Sequence, residues 1–275
     1  GLSEGELTLQ ALAAMPYSTM GLIAILLVFA GLLFKLSAVP FHFWTPDVYE
    51  GSAPSVAAFL SVATKAGGLV VLWRIYALYA ETWVFLEITV AVVAIFCFIL
   101  GNSVALWQEN NKRLLAYSSI AQTGFLLIGI ITGKADVLLF YLWVYLLLSF
   151  GAFGLVQGAK AETIQDFSGL GRKIPLFGLA LFILMIGLTG LPPTAGFTAK
   201  FWLFAALWES YDENFILLIL LVVAALSAVV SLFYYLKMPY FAFFRHAESP
   251  IRVSREILLP ALGIALLVVG LLFGY

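Results

Sequence analysis

Three lysines hold the chemical interest of this chain because they interrupt stretches otherwise nearly free of charge. Lys35 ends a long apolar run, Lys65 lies about eleven residues inside the next, and Lys200 sits in a third. A charge in hydrocarbon costs roughly 3 kcal/mol even on the gentler insertion scales, so a lysine there is a functional candidate by default. Burial penalises an ammonium, and lysine, unlike arginine, can then shed its proton and take it back. The structural alternatives are a stem that snorkels to the headgroups or a fixed ammonium solvated by backbone dipoles and water. Lys65, farthest from a polar loop, fits snorkelling least well.

Each break in the apolar pattern lies near one of these lysines. Pro40 follows Lys35 by five residues, and Pro192 and Pro193 lie within eight residues of Lys200. Proline removes an amide donor and clashes with the preceding turn, which frees carbonyls. An interrupted helix at membrane depth is tolerated only where it is packed in protein or lines a hydrated cavity. Freed carbonyls can hold water or an ammonium, an arrangement found in transporters. A plain kink is the commoner fate of a lone membrane proline, but lysines beside both breaks favour a working site.

Other polar residues gather around these positions. His42, seven residues after Lys35, is a proton relay or a hydrogen-bonded structural histidine; with no second His and only the lone Cys97 in the apolar runs, no metal site is expected. Asp47 and Glu50 flank a turn beside Pro46 and Gly51, as turn and cap residues or as the mouth of a proton path. Tyr117, Ser118, Ser119, Gln122 and Thr123 form a polar cluster early in one run, with Ser118 and Gln122 on one face at i,i+4 spacing. Such groups glue helices together or line a hydrated wire. Lys112 and Arg113 read as interfacial anchors, and the charges of 166–173 as solvated loop residues.

These side chains must be held by membrane helices. Of 275 residues, 63% are apolar and 11% charged, where a soluble domain carries about 25% charged. A net charge of −1 with no basic tract gives nucleic acid no purchase. The single cysteine, Cys97, excludes disulfides within the chain and Cys-ligated iron–sulfur clusters. No Walker loop or GxGxxG after a strand suggests a nucleotide site, so no cofactor is expected and any redox step belongs elsewhere. Runs able to span about 30 Å of hydrocarbon recur at 11–34 (broken at Pro40, with 41–50 completing the crossing), 54–80, 88–108, 114–133, 137–159, 174–209 (interrupted at 191–196), 214–236 and 257–275. The expected fold is all-α: one polytopic membrane domain over 1–275, a bundle of about eight transmembrane helices, two of them discontinuous.

The loops then alternate between two faces. Lys112, Arg113, Lys160, Arg172, Lys173, Lys237, Arg245, Arg252 and Arg255 fall on one, and only Arg74 and Lys134 on the other, with Glu4, Glu6, Glu81, Glu87, Glu209, Asp212 and Glu213. The basic face is therefore expected on the cytoplasmic or matrix side, with both termini outside. A start at Gly1, with no signal-type n-region ahead of the first run, predicts a further N-terminal segment.

Three stretches, LLFKLSAVPFHFWTPDVYEGSAP, NKRLLAYSSIAQTGF and GLTGLPPTAGFTAKFWLF, closely resemble the antiporter-like membrane subunit N of bacterial NADH-quinone oxidoreductase, equivalent to chain 2 of mitochondrial complex I. The resemblance implies a fourteen-helix fold of two inverted five-helix repeats, of which this chain would supply helix seven onward. Lys35, Lys65 and Lys200 would then be the lysines of helices seven, eight and twelve, with His42 on the same axis. Lys200 favours subunit N over a sister subunit that carries glutamate there. Gln122 stands where bacterial relatives often have histidine, so it could orient water but not titrate. The helix-five glutamate that pairs with the Lys35 position would lie in the absent first half, supplied by a separate chain or a missing segment. The resemblance implies a proton-translocating membrane-arm subunit in the mitochondrial inner or bacterial plasma membrane, without a redox centre of its own, partnered by other complex I subunits and lipid. The alternatives are a subunit of a multi-chain Na⁺/H⁺ antiporter, which shares the fold, and a non-conducting membrane spacer.

Overall fold

Runs this long and apolar predict helices, and the computed structural model is helical in nearly all of its described residues, 19–79, 84–211, 214–246 and 255–270. Among them the only strand-like pairing is an isolated bridge between Asn110 and Thr163. Helix α1 (Thr19–Lys35) stops at the first lysine, and α2 (Trp44–Gly51) resumes after the break. Helices α3 (Pro54–Tyr79), α4 (Val84–Ala105), α5 (Asn111–Ile131) and α6 (Ala135–Ala159) follow. A 3-10 turn (Ile164–Phe167) and the single-turn α7 (Leu170–Lys173) lead into the second broken pair, α8 (Pro175–Thr189) and α9 (Ala195–Glu209). Helices α10 (Phe215–Phe244) and α11 (Arg255–Gly270) complete the order.

Five helices, α3, α4, α5, α6 and α10, are long and apolar enough to cross a membrane by themselves. Three further apolar helices are shorter: Ile23–Lys35, Pro175–Thr189 and Leu259–Gly270. The breaks shorten two of them. Parts of the first and last runs, 11–18 and 271–275, lie outside the described residues, as do Glu4, Glu6, Glu81, Asp212, Glu213 and Arg252 among the loop charges.

Helix α5 is the centre of the bundle: 89% of its most apolar stretch is buried, against 28% for α10. It can sit there because α4 approaches it backbone to backbone. A Cβ on Gly101 would come within 2.6 Å of the Ala121 nitrogen and 2.9 Å of the Tyr117 carbonyl oxygen. Small residues at a crossing are how membrane helices gain contact where lipid offers no hydrophobic drive. Large apolar side chains such as Leu27, Trp143, Leu226 and Phe233 are exposed around the outside.

Several local readings need correction. Helix α10 continues past Lys237, with Pro239 inside it, because the Lys237 amine is solvated by the Leu106 carbonyl just past the end of α4. The 166–173 charges are not merely solvated. Asp166 closes a capping box by accepting from the Thr163 backbone N–H at 2.7 Å and its hydroxyl at 2.9 Å, and Arg172 donates to the Phe243 carbonyl. Lys112 and Arg113 do more than anchor. Lys112 donates to the Glu50 and Ser52 carbonyls, and Arg113 pairs with Asp47 at 2.8 Å and Glu50 at 2.7 Å, so the start of α5 is tied to α2. Asn110 caps α5, its side chain accepting from the Lys112 and Arg113 backbone N–H groups.

The start of α9 crosses α8 so closely that a Cβ on Gly196 would fall on the Gly187 carbonyl oxygen. Gly196→Val should therefore overpack the second break at a cost of about 1–3 kcal/mol, read as a lowered Tm in detergent. Gly263→Ala, where nothing lies within 4 Å, should leave the Tm in place.

Candidate functional site

Lys65 is fully buried on α3. Its amine donates to the Ser119 carbonyl at 2.7 Å, the Ser119 hydroxyl at 2.7 Å and the Thr123 hydroxyl at 2.8 Å. The three N–H bonds of an ammonium are thus all used, and all on neutral oxygens. Ser119 and Thr123 lie four apart, on one stripe of α5. Thr123 Oγ1 also lies 3.0 Å from the Leu36 carbonyl oxygen, which the first helix break leaves available. Among the described residues no carboxylate contacts Lys65.

Lys200 sits in the second turn of α9, 4% exposed. Its amine donates to the carbonyls of Leu188 at 3.0 Å and Thr189 at 2.7 Å, and lies 4.5 Å from the centre of the Phe125 ring. Leu188 and Thr189 are the last two residues of α8. Carbonyls in the last turn of a helix lack intrahelical partners and carry the negative end of its dipole. The second break therefore solvates a lysine with backbone oxygen.

Lys35 differs from the other two. It ends α1 as expected, but its side chain is exposed, and its amine makes no hydrogen bond or ion pair among the described residues. Its stem lies along α3 at Gly67 and Gly68. His42 is half-buried, its ring against Phe43 at 5.4 Å, and its Nδ1 has no hydrogen-bond partner. It bonds to none of the three lysines. Pro40 follows a cis bond, as does Pro193 after Pro192, and Pro192 and Pro193 are themselves exposed at the second break.

The supporting polar residues divide. Tyr117 is half-buried and remains outside the hydrogen-bonded network. Ser118 donates to the Leu115 carbonyl at 2.8 Å. Gln122 is buried and donates to the same Leu188 carbonyl that receives Lys200, at 3.0 Å, and to the Tyr235 hydroxyl at 3.4 Å. Adjacent stripes of α5 thus serve the two buried lysines, 119/123 for Lys65 and 122 for Lys200.

Two tyrosines on α6 join these stripes, and sequence reasoning passed over both. Tyr145 donates to the Ser119 hydroxyl at 2.8 Å, and Tyr141 donates to the Gln122 amide oxygen. Their rings stack with centroids 6.5 Å apart. Their i,i+4 spacing within FYLWVYLLLS was visible, but tyrosine in an apolar run reads first as packing. The route runs Lys65, Ser119, Tyr145, Tyr141, Gln122, the Leu188 carbonyl, Lys200. The two phenols are not bonded to each other, and beside them lies a cavity of about 10 Å³ lined by Gln122, Tyr141, Val144, Tyr145, Leu148, Gly187, Leu188, Gly196 and Lys200. Its accessible wall is apolar, so it offers a water little to bond to.

Comparison with known proteins shows the family. Residues 2–227 match the family model described as NADH:quinone oxidoreductase/Mrp antiporter, TM. The chain belongs to this family. It is 42% identical over 279 aligned positions to NADH-quinone oxidoreductase subunit N of Chlorobium chlorochromatii, covering 92% of this chain and 53% of that protein. A chain in the structure of respiratory complex I from Thermus thermophilus with bound aureothin superposes with a TM-score of 0.81 at 34% identity, covering 95% of this chain and 59% of that one. A chain of the Mrp complex from Dietzia sp. superposes at 0.80 and 21% identity, over 94% of this chain and 57% of that one, a likeness of fold. The chain spans about half the length of the curated relatives it matches.

A density map of the assembled resting protein fine enough to show waters should find this apolar-walled cavity dry. An ordered water bonded to both phenols there would contradict that.

Proposed function

We propose that this chain is the antiporter-like, proton-translocating part of an NADH:quinone oxidoreductase membrane arm. The observation that carries the reading is the line from Lys65 to Lys200: two buried amines held by neutral oxygens, with Ser119, Tyr145, Tyr141 and Gln122 set between them and one unbonded step between the two phenols. A static membrane spacer would be expected to neutralise such lysines with carboxylates, and among the described residues none does so. The 42% identity to subunit N favours the oxidoreductase over a Na⁺/H⁺ antiporter, although the family model spans both and the Mrp chain is only 21% identical.

In this reading, a proton placed on Lys65 disfavours charge on Lys200, because like charges repel strongly in a medium of low dielectric. Charges separate and recombine along the row. Driving one charge against the membrane potential takes about 2.3 kcal/mol per 100 mV, supplied by electron transfer in other subunits. Lys35 is the point where this half meets its complement: its exposed, unpaired amine calls for an acidic side chain on a neighbouring helix, from another segment or another chain. Counting each broken pair as one crossing gives eight, which puts the loops rich in Lys and Arg on the cytoplasmic or matrix side. His42 and Tyr117 have no part in the buried row.

Lys65→Ala in the assembled complex should lower protons moved per electron pair, or slow turnover together with pumping, by an order of magnitude or more. Proton stoichiometry and rate left as they were would refute the relay. A requirement for external Na⁺ would favour the antiporter reading instead.

A further inference from the structure

Several cations near the helix ends are already spent on oxygens of the protein. Arg113 pairs with Asp47 and Glu50, Lys112 donates to the Glu50 and Ser52 carbonyls, and Lys237 to that of Leu106. Arg172, Lys173 and Arg245 are different. All three are exposed, and none forms an ion pair among the described residues. Arg172 gives its Nε–H to the Phe243 carbonyl, and its terminal guanidinium nitrogens have no hydrogen-bond partner among the described residues. Asp166, the described acid nearest to Arg172 along the chain, is turned onto Thr163 instead.

The fold brings these three cations to one place. Phe243, near the end of α10, is wedged against α7 and α8. A Cβ on Gly171 would meet its ring at 3.0 Å, and one on Gly178 would come within 2.6 Å of that ring and 2.7 Å of the Gly171 Cα. Arg172 and Lys173 follow Gly171 directly, and Arg245 lies two residues after Phe243, its guanidinium 5.5 Å from the centre of the Phe241 ring. The end of α10 does not call for all of this charge. Its Phe241 carbonyl already accepts from the backbone N–H groups of Gly169 and Arg245, at 3.3 Å each. The positive end of the α8 dipole, which opens at Pro175, adds to the charge. Cations crowded in this way repel one another until an anion joins them. The outer surface alongside is apolar: Tyr240 and Phe244 are exposed one turn apart with rings stacked at 5.6 Å, and Leu176 and Leu179 are exposed early in α8.

We propose that Arg172, Lys173 and Arg245 hold the phosphate headgroup of an anionic phospholipid, whose acyl chains lie along the apolar surface of α8 and α10. Guanidinium forks match phosphate oxygens in geometry as well as charge, and basic groups gathered at the ends of packed membrane helices are how anionic headgroups are recognised. A soluble anion would use the cations and leave the apolar surface bare. A phospholipid uses both. The inference needs only that the chain lies in a membrane, and it stands or falls apart from the lysine relay.

The test places the assembled complex in liposomes with a photoactivatable phospholipid, either phosphatidylglycerol or phosphatidylcholine, each with a diazirine on one acyl chain and at equal mole fraction. Peptide mass spectrometry then locates the label. Residues 176–179 and 240–244 should be labelled about tenfold more from phosphatidylglycerol, within what three cations can supply. Unlabelled phosphatidylglycerol should compete for the site, and inorganic phosphate should not. Arg172→Gln combined with Arg245→Gln should bring the ratio of the two lipids close to one. Lys160→Gln, which removes an exposed charge at the end of α6, should leave the ratio as it was. Should the double variant not assemble, Arg245→Gln alone should at least halve the ratio. Equal labelling from both lipids would make this ordinary lipid contact, and displacement by phosphate would make it a site for a soluble anion. Either result overturns the proposal, as does labelling from neither lipid or a ratio that the arginine variants leave unchanged.

Discussion

An amine buried among neutral oxygens governs this structure. Removing an ammonium from water costs several kcal/mol even after relaxation. Hydrogen bonds to a charged group return about 1.5–3 kcal/mol each, so the three made by Lys65 come near to offsetting that cost without exceeding it by much. A carboxylate at 4 Å would add about 4 kcal/mol at an effective dielectric of 20 and fix the charge. No carboxylate contacts Lys65 among the described residues, which is what the proposed relay requires. The rest of the bundle can be understood as what keeps that balance: a central α5 that presents Ser119 and Thr123, and an α6 that presents Tyr145 and Tyr141.

The two helix breaks meet their lysines in different ways. At the second, the last carbonyls of α8 turn directly onto Lys200, and the glycine contact between α8 and α9 brings the amine to them. At the first, the Leu36 carbonyl lies against Thr123 rather than Lys35, and the Lys35 amine is left on the outer surface. One break is complete within the described helices. The other has the character of a joint, with an unpaired amine outside and unpaired polar atoms inside.

The sequence disclosed the buried lysines because charge in an apolar run has few bland explanations, and it disclosed the breaks because proline cannot continue a helix's hydrogen bonds. Family membership was legible in three contiguous stretches for the same reasons. The exposure of Lys35 was not legible, since burial depends on which helices pack beside it. Tyr141 and Tyr145 escaped notice because a phenol's ring and its hydroxyl send opposite signals, and only the neighbours decide which matters. Lys237 misled the helix boundary because a lysine amine can reach a neighbouring helix's last carbonyls as well as water. The shared face of Ser118 and Gln122 followed from the helical period, but that the neighbouring stripe of Ser119 and Thr123 meets Lys65 needed the packing of α3 against α5.

The central claim is that Lys65 changes its charge during turnover. Nitrogen-15 magnetic resonance of the lysine side chains in the membrane-embedded complex, with Lys65→Arg used to identify the Lys65 signal, distinguishes amine from ammonium directly. The account predicts that the Lys65 signal moves between the two forms when the resting complex is set turning over. A Lys65 signal that remains ammonium in both conditions would contradict it.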